Sequence, residues 1–360
     1  MSDFMRKIYL DHLRWMSILL LIPYHAAMAW NVWGEPNYIF FKGSRVISSL
    51  VVFLSPYFMP LLFLIAGIST KAALQKRTIR QYLLERMKKL LVPFVSGTVL
   101  MMPVMSYIAD RFQGGYEGSL SGHFYIFFTR FTDLTGADGG FSVGHFWFVL
   151  YLFFISLLSA GVITLQKKRK PECCLDLSLF RICLFGLPLP FLHELLSIGG
   201  KSFAEYMYLF LAGYFVFSNE CTVGRLERYR WFFLSTGLLA SVFHVYLSIW
   251  SGRAYPLADL AMRYISEWFM PAALLGMGKR YFTGNGKVSR YLSRRSFAFY
   301  VMHYVWVVLL QYLLADICGS SMFLMFVLPV LGAYGATFVC CELWARVQAF
   351  VHRFTAIKLY

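Results

Sequence analysis

Arg14 and His25 bracket an apolar run, RWMSILLLIPYH, whose interior is membrane-like except for Ser17. At 3.6 residues per turn, the spacing from Arg14 to His25 is almost three full turns of helix. Both side chains therefore share one face, about 16 Å apart along the axis at 1.5 Å per residue. An ionisable group held deep in a bilayer is expensive and marks a functional site by default. A histidine there can act as a base or a nucleophile near neutral pH. Two plainer readings stay open on these residues alone. Arg14 also fits a cation snorkelling from a helix end. His25 also fits a buried histidine that hydrogen-bonds a neighbouring helix.

Other residues of the same chemical types recur along the chain. His145 opens GHFWFVLYLFF, and His303 lies in SFAFYVMHYVWVVL. His193 and Glu194 are adjacent, and Glu267 sits in an apolar stretch; these three are read as structural or partly exposed. Arg86 and Lys89, in LLERMKKLLVPF, are one turn apart and share a helix face. With Arg14 they would make a cytoplasmic pocket for phosphates. Membrane topology alone also accounts for most cations in that segment.

The elements that must position these residues are transmembrane helices. The 360 residues are 59% hydrophobic and 14% charged, with a mean hydropathy of +0.59, where a soluble domain carries nearer a quarter charged. Apolar runs predict an all-α, polytopic membrane protein with ten spans: 12–33, 48–70, 90–109, 145–165, 178–197, 202–218, 231–250, 257–277, 297–315 and 322–344. Pro188 and Pro190 fall in the fifth, Arg263 and Glu267 in the eighth. With the N-terminus inside, 26 of the 34 lysines and arginines fall in cytoplasmic segments, which places both termini in the cytoplasm. The net charge of +16 is thus a topology signal, and no nucleic-acid partner is expected.

The first span is too long for a signal-peptide core, and no small-residue cleavage site follows it. The seven cysteines show no metal-ligand spacing; Cys173 and Cys174 fall in a basic cytoplasmic loop, and no structural disulfide is expected. Residues 1–360 read as one membrane domain with no separate soluble domain. The longest extramembrane segment, about 110–143, is external, and its aromatic centre HFYIFFTRF is expected to form a short interfacial helix.

Together these stretches resemble the membrane acyltransferase-3 family, which includes bacterial O-acyltransferases of cell-surface and periplasmic glycans. IYLDHLRWMSILLLIPYH resembles the family's first-helix pattern, an arginine, ten residues, then a histidine. FMPLLFLIAGIST is similar to its second span, which ends in a glycine-containing turn. YLLERMKKLLVPF resembles its RxxR segment, with Lys89 in place of the second arginine; lysine keeps the charge and loses the bidentate fork. GHFWFVLYL is similar to the H-x-W-F element, and SRRSFAFYVMH to S-x-x-x-Y-x-x-H, here Ser296, Tyr300 and His303. IPYH and the FxxAG turn are further similar to the succinyltransferases of periplasmic glucans.

The resemblance implies transfer of a short acyl group, acetyl or succinyl, from cytoplasmic acyl-CoA to a hydroxyl of an extracytoplasmic glycan or other envelope molecule. The setting would be a bacterial cytoplasmic membrane. Arg14, Arg86 and Lys89 would engage the CoA phosphates. His25 would be the general base or briefly take the acyl group. His145 and Trp147 would help form the acceptor-side opening, and Tyr300 and His303 would line the donor path. No metal is implied. Some relatives carry an extra esterase-like domain, which here would be a separate extracytoplasmic partner protein. Two other classes fit the composition: a proton-coupled exporter, with its ionisable residues at depth, and a membrane sensor or scaffold. The first lacks an inverted repeat and the second lacks an output domain.

Overall fold

The structure is a computed structural model that describes residues 7–169, 176–318 and 321–357. Among the described residues it is all-α apart from one short antiparallel pair, Ser197–Ile198 with Lys201–Ser202. Among the described residues six helices are long and apolar enough to cross a membrane: Arg45–Lys76, Ile79–Gly114, Gly144–Lys167, Arg230–Trp250, Lys287–Cys318 and Met322–Phe350. They contain six of the ten expected spans. The protein is a multi-pass membrane protein.

The other four expected spans take different forms. The first is the helix Ile8–Met28. The eighth lies in Pro256–Tyr281, a continuous helix of 26 residues despite Arg263 and Glu267. The sixth is Phe203–Phe215, only 13 residues. The fifth is no single helix. Leu179–Leu184 and Leu189–Leu192 are separated at Gly186 and Pro188, and the hairpin follows. Proline has no N–H to continue the ladder. Gly186 packs so close to the Trp268 indole that a Cβ there would clash, and that indole donates to the Ile182 carbonyl at 2.8 Å.

The described chain falls into two compact units. The first is drawn from the segment ending at Ser17, from Ser44–Ser96 and from Phe146–Ser289. The second is drawn from Ile18–Gly43, Gly97–His145 and the segment beginning at Arg290.

The first unit is built on close helix crossings. A Cβ on Gly67 would run into the Phe210 carbonyl, and one on Gly213 into the Leu64 carbonyl. Small residues let two backbones approach where no hydrophobic force drives helices together in lipid. Ala66–Gly67, expected as the turn ending the second span, therefore lies inside the continuous helix Phe58–Lys76. Phe63 stacks on Tyr206 beside this crossing, with ring centroids 4.5 Å apart. His193 meets Glu205 at 2.9 Å, and both Glu205 and Glu267 are buried, whereas Glu194 is exposed.

The second unit packs Ile22, Ala26, Ile39, Met102, Met105, Phe127 and Val307 in its interior. A short helix does form in this segment, Leu120–Thr129, with Ser119 capping its N-terminus, Phe127 buried and Tyr125 exposed. His123 on this helix is buried and lies 3.2 Å from Asp110, which also pairs with Arg130. Among the described residues Cys183, Cys221, Cys318, Cys340 and Cys341 are free thiols. Cys173 and Cys174 lie outside the described residues.

Candidate functional site

His25 sits near the C-terminal end of Ile8–Met28, and the way that helix ends decides where its ring goes. Pro23 has no N–H, so the Leu19 carbonyl loses its helical donor. The Tyr334 hydroxyl donates to that carbonyl at 2.8 Å. Two turns on, Gln311 Nε2 donates to the Ala26 carbonyl at 2.9 Å, satisfying a group left open at the helix end. Tyrosine and glutamine from two later helices thus anchor the backbone on both sides of His25.

The ring itself is half-buried and lies flat on Tyr304, with centroids 3.9 Å apart and planes 22° from parallel. His303 is next, 5.3 Å from His25, and His145 lies 5.1 Å from His303. Both of these are buried, His145 at 4% exposure and His303 at 1%. His303 Nδ1–H donates to the Tyr300 carbonyl on its own helix at 2.7 Å. The neutral ring therefore carries an acceptor lone pair at Nε2, which has no hydrogen-bond partner among the described residues. His145 donates from Nε2 to the Val301 carbonyl at 3.2 Å, while its own carbonyl accepts the Tyr300 hydroxyl. Gly144, at φ +48°, makes the turn that delivers His145; a Cβ there would meet Met102 and Tyr38.

Four of the expected residues, His25, His145, Tyr300 and His303, therefore form one cluster within the second unit. Its accessible member is His25. A half-exposed imidazole backed by buried rings can accept a proton, while the buried pair shapes the wall behind it. Among the described residues no three His, Cys, Asp or Glu side chains are arranged to hold a metal ion.

The remaining four expected residues belong to the first unit and are placed there separately. Arg14 bridges Asp11 at 2.9 Å and Ser69 Oγ at 3.0 Å. The next residue, Thr70, hydrogen-bonds Tyr82 at 3.0 Å, and Arg86 lies over the Tyr82 ring at 4.7 Å. Lys71 stands over Tyr214 at 4.9 Å. Ser69, Thr70 and Lys71, consecutive in the helix Phe58–Lys76, thus meet Arg14, the Tyr82 that carries Arg86 on its ring, and Tyr214.

Lys89 differs. A π-helical turn, Met87–Leu91, follows Arg86 and widens the helix, so the one-face relationship expected for Arg86 and Lys89 is distorted. Lys89 is exposed and pairs with Glu85 at 3.3 Å, and Glu85 also pairs with Arg77 at 2.9 Å. Trp147 packs against Tyr206, with ring centroids 5.4 Å apart, and Lys201 lies 5.6 Å from its ring.

Sequence reasoning missed Tyr304, Asn37, Tyr38 and Gln113. Tyr304 immediately follows His303, and its phenol donates to Asn37 Oδ1 at 2.6 Å. Gln113 donates to the Asn37 and Tyr38 carbonyls at 2.8 and 3.0 Å, and Tyr38 donates to Ser142 at 3.2 Å. The available signal was slight: a polar Pro-Asn-Tyr after the first helix, and a tyrosine among many aromatics.

The model of the acyltransferase-3 family, described as an acyltransferase domain, matches residues 7–343. No curated protein and no solved structure matches. The match takes in all eight of the expected site residues, and it sets aside the exporter and the sensor as readings of the chain. Nearly the whole chain is covered, so the protein belongs to the acyltransferase-3 family and is a membrane acyltransferase.

Proposed function

We propose that the protein moves a short acyl group, acetyl or succinyl, from cytoplasmic acyl-CoA to a hydroxyl of an extracytoplasmic glycan or other envelope molecule. It would do so in a bacterial cytoplasmic membrane, as a ten-span protein with both ends inside. The observation that carries this reading is the half-buried His25, stacked on Tyr304 and backed by buried His145 and His303, in a chain of this family.

In this mechanism His25 removes the proton from the acceptor hydroxyl as the oxygen attacks the thioester carbonyl. The C–S bond then breaks, and the CoA thiolate takes the proton from His25. A two-step variant passes the acyl group through His25 itself. Arg14 and Arg86 engage the CoA phosphates, with Lys89 contributing charge from an exposed position. Tyr300 and His303 line the donor path, and His145 and Trp147 shape the acceptor side. A dicarboxylic acyl group, as in the similarity to glucan succinyltransferases, would need one further cation near the reaction centre.

The test is acyl-CoA turnover by the purified protein in lipid, with a panel of CoA thioesters and His25→Ala as control. Loss of a general base lowers turnover by about two to four orders of magnitude. The best thioester names the donor. A folded His25→Ala protein that turns over acyl-CoA at the wild-type rate overturns the reading.

A further inference from the structure

We infer that Tyr304, held by Asn37 and Gln113, is the positioning partner of His25: its ring sets the plane of the imidazole and stabilises the imidazolium that forms when His25 takes a proton. This rests on the proposed role of His25 as base.

The geometry has three parts. The two rings are nearly parallel at 3.9 Å, closer than His25 comes to the rings of His303, at 5.3 Å, and Tyr24, at 5.4 Å. A cation over the face of a tyrosine is attracted by the ring quadrupole, and more strongly where water is excluded; Tyr304 is 5% exposed. The phenol cannot turn away. Its O–H donates to Asn37 Oδ1 at 2.6 Å, and Tyr38 packs edge-on at 5.6 Å. Asn37 is fixed in turn, since its own amide donates to the Ile39 carbonyl at 3.2 Å and Gln113 bridges the Asn37 and Tyr38 carbonyls.

The charge that develops on His25 during proton transfer therefore meets a preorganised π face. An interaction present in the charged form and weaker in the neutral one acts on the chemical step and not on donor binding. Tyr304 contacts His25 through its face and the loop at residues 35–39 through its hydroxyl, so it couples that loop to the base.

The experiment is steady-state kinetics on full-length protein in lipid with the best acyl-CoA, for Tyr304→Phe, Tyr304→Leu, Asn37→Ala and the double variant Asn37→Ala/Tyr304→Phe, with His25→Ala alongside. Tyr304→Phe keeps the face and loses the tether, and kcat falls about 3- to 10-fold. Tyr304→Leu loses both, and kcat falls about 30-fold or more, with KM for acyl-CoA unchanged. Because Asn37 and Tyr304 share one bond, the double variant loses no more than about the larger single loss. Restoration of most of the Tyr304→Leu deficit by phenylalanine separates a π face from generic packing. The inference is overturned if His25→Ala is inactive while Tyr304→Leu keeps wild-type kcat, or if the losses in the double variant multiply. Should His25→Ala itself stay active, the role of the base fails first, and with it this inference.

Discussion

Tyr334 donates its hydroxyl to the carbonyl of Leu19 at 2.8 Å, and Leu19 is the residue that Pro23 deprives of its helical partner. A proline inside the helix that carries His25 is thus compensated by one side chain from the last helix. In hydrocarbon an unsatisfied backbone carbonyl is costly. Tyr334→Phe is expected to destabilise the protein by about 1–3 kcal/mol. Thermal unfolding in detergent checks this. The same substitution in a Pro23→Ala background should be close to neutral, because alanine restores the N–H.

Gly67 and Gly213 face each other's helices so closely that a methyl group on either meets main-chain carbonyl oxygen. Backbone cannot swing aside as a long side chain can. Gly67→Ala and Gly213→Ala are each expected to cost several kcal/mol, at the upper end for single substitutions, and to lower the yield of folded protein. Gly161→Ala, on a surface with nothing within 4 Å, is the control and should be neutral or slightly stabilising. Size-exclusion profiles of the three variants test the contrast.

His123 lies outside the spans and is pushed below the ordinary histidine range by burial, against the opposing pull of Asp110. Between that lowered value and about 6.5 the unfolded chain binds more protons than the folded one. The stability this group supports is therefore complete above about pH 6.5 and declines as the pH falls below it. Melting temperature measured from pH 8 to pH 5 should fall, and His123→Gln should flatten that part of the curve.

Arg86 and Lys89 are expected to part company in kinetics. Arg86 is half-buried and stacked over Tyr82, next to the Ser69–Thr70 step that also receives Arg14. Lys89 is exposed and paired with Glu85, and exposed pairs are worth about 0–1 kcal/mol. Arg86→Ala should raise KM for acyl-CoA about tenfold or more, as loss of a charge-assisted phosphate contact does. Lys89→Ala should change it by no more than about threefold. Equal effects in the two variants would count against the placement of the CoA phosphates.

The local features of this protein were legible in the sequence, because they depend on short-range periodicity. Hydropathy over about 20 residues marks a membrane helix wherever it packs, and six long apolar helices stand where spans were expected. Arg14 and His25 share a helix face because 3.6 residues make a turn, and the motif spacing that resembled acyltransferases led to the family. The same local rules over-counted regularity at 178–197, where hydropathy is high but the helix is interrupted at Gly186 and Pro188.

Contacts between distant segments were decided only by tertiary structure. Asn37 and Tyr304 are 267 positions apart, and nothing in the spacing of either predicts that they hydrogen-bond. His145 and His303 were each visible as costly residues, but their meeting beside His25 depends on the fold bringing three distant segments together. The fate of individual cations was hidden in the same way. Positive-inside charge sets the side of the membrane for a whole segment, whereas Ser69 and Tyr82 select Arg14 and Arg86, and Glu85 takes Lys89. Sequence encodes the cost of placing a polar group in an apolar helix, and only the packed fold determines which partner offsets it.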